Sequence, residues 1–505
     1  MRFLRAAFIS ALVPAFASVA LAVIKDPVQL EQGLLSGTAG NNPDVRVYKG
    51  VPFAAPPVGD LRWKPPQPPA SWHGVRQAAE FGPACMQRPF PDMPPISEDC
   101  LYLNIWTAAK SDHDRLPVMV WIHGGGFIAD WGSDPEYNGE NFAAKGVVLV
   151  TINYRLGVFG FLALPELTFE SPHHSSGMYG MLDQVAALEW VKKNIESFGG
   201  DPKRVTVFGE SAGGAAVNFL VASPLAKGLF QGGIAESGAS SGILRPSLAE
   251  AEKSGTSLAA SLGAGHDALK ILRAKPAEEI LKAVPKGNVH PPVDGWFLPQ
   301  DVYAIFAQGK QNDVPLIVGS NSDEGSGILK PGMNAAEFVK EERRRYGSQA
   351  DQFLKLYPAG SDEEALESFY AAGRDIIAWA MHTWARIQTK TGHYPAYRYY
   401  FTHWPPGPES KRLRAYHGAE IAYVFQNFLP DHPWEDADRK LGATIADYWV
   451  NFATTGNPNG KGLPEWPAYS ADKEQVMELG DKVGAEPLGN KAAMDFLDQY
   501  HSSQR

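Results

Sequence analysis

The sequence predicts an α/β fold, with one large, mostly parallel sheet covered by helices on both faces. Three observations point there. Short apolar strands alternate with helical patterns along most of the chain, which is the signature of a buried parallel sheet. One strand, Arg204–Phe208, runs straight into a glycine-flanked turn and a helix start. The stretches 243–312 and 332–395 are helix-dominated and lie between the later strands, without repeats, so they read as insertions on one scaffold.

Residues 1–22 read as a signal peptide. Arg2 and Arg5 form a positive start, Ala6 to Val13 is apolar, and Ala20-Leu21-Ala22 fits a cleavage site before Val23. A membrane anchor is the competing reading, since Ala6 to Ile24 carries no charge, but Pro14, Ser10 and Ser18 weaken it. The expectation is a secreted or periplasmic protein, residues 23–505 forming a single domain, with no stable membrane insertion after signal removal. No N-x-[ST] acceptor occurs, which favours a bacterial secretory route.

Composition narrows the partners. Of 505 residues, 44% are hydrophobic and 20% charged, an ordinary globular balance. With Lys+Arg 46 against Asp+Glu 56, the net charge is −10. That argues against nucleic acid or an anionic membrane, where basic patches lead binding. A small molecule is the expected partner, and the chain is expected to be a monomer or weak homodimer.

The run Pro52 to Pro69 interleaves prolines with Phe53, Leu61 and Trp63, and reads as an ordered packed loop rather than a linker. The two cysteines, Cys85 and Cys100, read as a disulfide in an oxidising compartment, with two free buried thiols as the alternative. Strands follow at Leu101–Thr107, Val118–His123 and Val147–Tyr154. Between Tyr179 and Ser197, Met181, Val185, Leu188, Val191 and Ile195 make one apolar helix face. Further strands are Arg204–Phe208, Gly232–Glu236, Pro315–Ser320 and Tyr397–Thr402. The tail reads as a closing helix over Leu441–Phe452 followed by irregular structure.

Gly209-Glu210-Ser211-Ala212-Gly213 is the most informative segment. A strand that becomes a helix within four residues needs glycines, because a Cβ would strike neighbouring backbone. This G-x-S-x-G elbow lifts a serine hydroxyl above the sheet beside a helix N-terminus. A functionless Gly/Ser turn is the bland alternative, and it seldom has a strand before it and a helix after it.

A serine becomes a nucleophile only when a base takes its proton and a carboxylate orients that base. After Pro315–Ser320, the loop Asn321 to Gly327 holds Asp323 and Glu324, equal candidates by spacing. After Tyr397–Thr402 comes Tyr416-His417-Gly418-Ala419-Glu420; His403, His393 and His382 are weaker, and His173-His174 read as surface. Trp121 to Phe127 carries His123-Gly124-Gly125-Gly126, whose glycines can turn N–H groups toward a carbonyl oxygen. Neither a phosphate loop nor a metal motif is present, so no cofactor and no metal are expected.

On these residues the chain resembles the type-B carboxylesterase/cholinesterase family. Phe198-Gly199-Gly200 with Val205 to Gly213 resembles its serine signature. Glu98 to Ile105 resembles its second signature, departing at Ala108 where proline is usual. The resemblance extends through Phe53–Trp63 and Asn153–Gly157, nearly the whole mature chain. It implies the α/β-hydrolase fold, with the helical insertions over the active site. It also implies Ser211 as nucleophile, Glu324 rather than Asp323 as acid, and His417 as base. Gly125, Gly126 and Ala212 would form the oxyanion hole, Glu210 would lie beside it, and Ser237 would stand near the histidine.

The Cys85–Cys100 loop matches the family's N-terminal disulfide. Met86 to Asp99 has neither a lipase lid's length nor the tryptophan with which cholinesterases hold choline. The implied activity is hydrolysis of small to medium apolar or aryl esters. A thioesterase, amidase or lactonase with the same residues, and a non-catalytic binding protein of this fold, are the alternatives. Phe127, Trp131, Trp296, Phe297, Trp379 and Trp384 are pocket candidates that fit plain core as well.

Overall fold

The computed structural model describes residues 24–240, 243, 245–265, 267–284, 289–326, 334–430 and 432–504. The expected signal peptide, 1–22, lies outside them. An 11-stranded sheet dominates. Across it run Val483–Pro487, Gln475–Leu479, Ala396–Phe401, Leu316–Asn321, Gly232–Glu236, Gly200–Glu210, Leu116–Ile122, Val148–Ile152, Tyr102–Thr107, Arg46–Pro52 and Thr38–Ala39. The seven strands from Gln475–Leu479 to Val148–Ile152 pair in parallel. Both flanks are antiparallel. The fold is the α/β-hydrolase fold.

The central strands carry apolar residues on successive positions, as in Val118–Ile122, because both faces are covered. Val118, Val120 and Ile122 pack into one core, while Met119 and Trp121 between them pack into another on the opposite face. Val205 and Val207 against Phe208 divide the same way. A third cluster joins Phe338, Phe353 and Trp379 of the second helical stretch to Phe496 and Leu497 near the C-terminus. Both stretches expected to be helical are so, with Leu248–Ser261 in the first and the 30-residue helix Asp362–Thr391 in the second. The proline-rich run is ordered and seats Trp63, 1% exposed, in the core.

Several expectations need correction. The elbow strand is Gly200–Glu210, 11 residues rather than five, because Gly200 already pairs with Leu116 and the strand bulges from there to Val205. The helix from Tyr179 ends at Asn194 and closes in a tighter turn, Ile195–Phe198. The tail is not irregular: Gln475–Leu479 and Val483–Pro487 form a hairpin on the sheet edge, and Lys491–Gln504 is a helix. These edge strands are short and mixed in polarity, so alternation does not announce them. The same holds for the small N-terminal sheet Val28–Leu30, Gly33–Ser36 and Val75–Gln77.

Candidate active site

The elbow forms as its glycines require. A Cβ on Gly213 would fall 1.9 Å from the Ile122 carbonyl oxygen, and one on Gly209 would fall 2.4 Å from the same atom. Ser211, between them, takes φ 55° and ψ −116°, a conformation disfavoured for any side chain. It is held there by its own N–H, which donates to the Glu236 carbonyl at 2.8 Å. Gly238 completes the seat, since a Cβ there would fall 1.8 Å from the Ser211 carbonyl oxygen. Sequence reasoning missed Gly238. Its signal was the small-residue run Ser237-Gly238-Ala239 after the strand Gly232–Glu236.

Ser211 caps the helix Ala212–Ala222, so the Ala212 N–H heads a helix whose first N–H groups have no intrahelical acceptor. The Gly124–Phe127 loop leans on this elbow. A Cβ on Gly124 would lie 2.9 Å from Glu210 Oε2 and 3.4 Å from the Ser211 Cβ. Gly125 and Gly126 take φ 79° and 64°, which turn the loop away from the strand. His123 is not a ligand or base. It is buried, stacked on Tyr154 at 4.4 Å, and burial pushes its pKa down to about 3.

The structure brings the three expected side chains together. His417 Nε2 lies 2.8 Å from Ser211 Oγ, and its Nδ1 lies 2.6 Å from Glu324 Oε2. Glu324, 1% exposed, has its other oxygen fixed by the Asn321 N–H at 2.7 Å. Asp323 turns away: Ser322 donates to its carboxylate at 2.7 Å and Arg414 lies 3.6 Å from it. Asn321 also donates to the Tyr416 carbonyl at 2.8 Å, tying the loop of His417 to the loop of Glu324.

Under the histidine lie three buried carboxyls that composition could not reveal as a group, those of Glu210, Glu236 and Glu420. Glu210 Oε1 lies 3.2 Å from His417 Nε2 without hydrogen-bonding to it, because that nitrogen is aimed at Ser211. Glu420 Oε1 accepts from Tyr399 at 3.1 Å and from Ser237 at 3.3 Å. Ser237 therefore acts on the carboxylate three residues beyond His417 rather than on the imidazole. Glu236 accepts from Trp449 at 2.8 Å.

Burial pushes these carboxyls up, Glu210 to about 8, Glu420 to about 7 and Glu236 well above the carboxylate range. Burial alone would depress His417. The Glu210 and Glu324 carboxylates beside it outweigh burial and push the imidazole up to about 10.

The other histidines serve elsewhere: His403 contacts Asp481 and Asp438, His393 contacts Asp313, and His382 contacts Arg398. Phe297, Trp379 and Trp384 are core, and Trp296 stacks on His173 at 3.8 Å. Phe127 is buried between Phe161 and Phe219, and Trp131 is half-buried. Cys85 and Cys100 form a disulfide with Cα atoms 5.0 Å apart. Among the described residues no cluster of His, Cys, Asp and Glu could hold a metal, and no helix is long and apolar enough to cross a membrane.

The sequence model described as the carboxylesterase family matches residues 25–497. The chain is 37% identical over 492 residues to fumonisin B1 esterase of Sphingopyxis macrogoltabida, covering 91% of this chain and 87% of that protein. It is 36% identical over 486 residues to para-nitrobenzyl esterase of Bacillus subtilis, covering 91% and 96%. Among solved structures, a PNB esterase superposes with a TM-score of 0.82 at 36% identity, covering 93% of this chain and 99% of that one.

Proposed function

The chain belongs to the carboxylesterase family, and from that premise we propose that it hydrolyses carboxylic esters through a Ser211–His417–Glu324 triad and an acyl-enzyme. The supporting observation is the unbroken line from Ser211 Oγ through His417 to Glu324, at 2.8 Å and 2.6 Å. In this reading His417 Nε2 takes the hydroxyl proton as Ser211 attacks the ester carbonyl. The tetrahedral oxyanion is received by the N–H groups of Gly125, Gly126 and Ala212, each contributing about 2.7–4 kcal/mol to barrier lowering. The proton passes to the departing alcohol. Water, deprotonated by the same nitrogen, then frees the acid. Glu324 holds the ring's orientation and stabilises the imidazolium.

Small to medium apolar or aryl esters are the proposed substrates, in keeping with relatives that include a human cocaine esterase, 37% identical over 490 residues. A thioester reading has one specific support: a medium-chain fatty acyl-CoA hydrolase precursor of Anas platyrhynchos is 38% identical over 499 residues. Residues 23–505 are proposed to be one secreted domain, released by cleavage after residue 22.

The test is turnover of a p-nitrophenyl ester with organophosphate titration. Wild type should show one labelled site per chain, and Ser211→Ala should lose label and at least about 10⁴-fold in kcat while still folding. Turnover retained by a folded Ser211→Ala protein rejects the assignment. A thioester panel separates the second reading.

A further inference from the structure

The segment after the glycine loop is held in an unfavourable conformation. Asp130 has φ 86°, in the left-handed region, where a side chain persists only if its surroundings over-determine it. Gln87 supplies that determination. It is 1% exposed and lies two residues past Cys85, inside the disulfide loop. Its Oε1 accepts from the Asp130 N–H at 2.8 Å, and its Nε2 donates to the Asp130 carbonyl at 2.8 Å. One carboxamide thus satisfies both backbone polar groups of one residue.

Asp130 closes the arrangement from the other side. Its Oδ1 accepts from the Trp131 N–H and its Oδ2 from the Tyr137 hydroxyl, both at 2.7 Å. A second carboxamide repeats the tie two residues on. Asn153 Oδ1 accepts from the Gly132 N–H at 2.8 Å, while its Nδ2 donates to the Pro83 and Cys100 carbonyls at 2.9 Å and 3.1 Å.

Asp130 in turn backs the glycine loop. A Cβ on Gly125 would lie 3.0 Å from the Asp130 Cβ and 3.3 Å from its nitrogen. The Ile128 and Ala129 N–H groups both donate to the Gly125 carbonyl at 3.0 Å. The Gly125 backbone is thus seated close against Asp130.

We propose that Gln87 is a positioning residue for the oxyanion hole: by clasping Asp130 it fixes the Gly125–Gly126 peptides, making the disulfide loop part of the catalytic support. The inference rests on the reading of Gly125 and Gly126 as oxyanion donors. Such donors must meet the oxyanion rather than the ground-state carbonyl. Tilting them therefore weakens transition-state binding more than substrate binding.

Gln87→Leu replaces the carboxamide by an apolar branch and removes the clasp. It should lower kcat on a p-nitrophenyl ester about 10- to 100-fold and leave KM within about two-fold. Affinity for a trifluoromethyl ketone, which forms a tetrahedral adduct, should fall by the same factor as kcat/KM.

The proposal is overturned if folded Gln87→Leu, with full organophosphate titre, keeps kcat within two-fold. It is equally overturned if the loss lies in KM rather than in kcat. Should Gln87→Leu not fold, Gln87→Glu replaces it under the same criteria, keeping the acceptor and setting a carboxylate oxygen against the Asp130 carbonyl. A wild type with no turnover and no label would reject the functional reading itself. The clasp is then read by amide exchange: faster exchange at Gly125 and Gly126 in the variant supports it, and equal rates overturn it.

Discussion

Ser211 is fixed by backbone packed too closely to admit side chains, whereas His417, three strands along the sheet, is fixed by hydrogen bonds among buried carboxyls. On the serine side, Gly209, Gly213 and Gly238 each bring a would-be Cβ within 2.4 Å of a carbonyl oxygen. On the histidine side, the contacts are Glu324, Asn321 and, through Ser237 and Tyr399, Glu420. Steric seats do not titrate and fail abruptly. Polar seats titrate and fail by degrees. One site therefore combines a serine whose geometry is independent of pH with an imidazole whose proton affinity its neighbours set.

The sharpest way to break the polar side is Glu324→Gln. It should keep the fold but cost on the order of 10⁴-fold in kcat, by letting the imidazole take the wrong tautomer. Asp323→Asn should stay within a few-fold, because Asp323 faces Ser322 and Arg414. Kinetics of the pair decide it, and a larger loss at Asp323 would reverse the assignment of the acid.

The steric side is broken by Gly213→Ala, whose methyl has nowhere to go beside the Ile122 oxygen at 1.9 Å. A loss of at least about 3 kcal/mol in denaturant unfolding is expected, together with lost organophosphate labelling. A fully stable, active Gly213→Ala protein would mean that the backbone yields where we hold it rigid. Joint replacement of Cys85 and Cys100 by serine should cost about 3 kcal/mol, from a sequence separation of 15 residues. If the clasp at Gln87 is right, activity should fall beyond what the lost stability explains.

The smallest effect is a pH shift. In the proposed mechanism activity requires neutral His417, so kcat/KM should rise as the imidazole loses its proton. Its pKa is pushed up by Glu210 and Glu324 against burial, so the limb should lie above the free imidazole's value of about 6.5. Glu210→Gln removes the first of those pushes, and the limb should move to lower pH by about one unit, worth about 1.4 kcal/mol. A limb that stays put or moves upward would show that Glu210 is neutral throughout and exerts no such push. A serine-side change that leaves the fold intact should not move the limb at all.

Much of this was legible in the sequence, and the reason differs by residue. The elbow is written in five consecutive residues because its constraint is local: a strand that turns into a helix tolerates only glycine at those two places. The glycine loop after Trp121 is legible on the same ground. The continuous apolar runs Val118–Ile122 and Val148–Ile152 announced a sheet covered on both faces. The edge strands did not show, because a short half-polar strand gains its stability from a partner that lies far along the chain.

By itself, then, the sequence determined the fold class, the elbow around Ser211 and the glycine loop, all set by sterics among near neighbours. Spacing left Asp323 and Glu324 equal, the family resemblance pointed to Glu324, and the tertiary structure turns Glu324 to His417. It alone gathered Glu210, Glu236 and Glu420 beneath the ring and joined Gln87 to Asp130, 43 residues apart. Those pairings follow from where the sheet brings distant loops together, and no local spacing encodes the direction in which a side chain on such a loop will point.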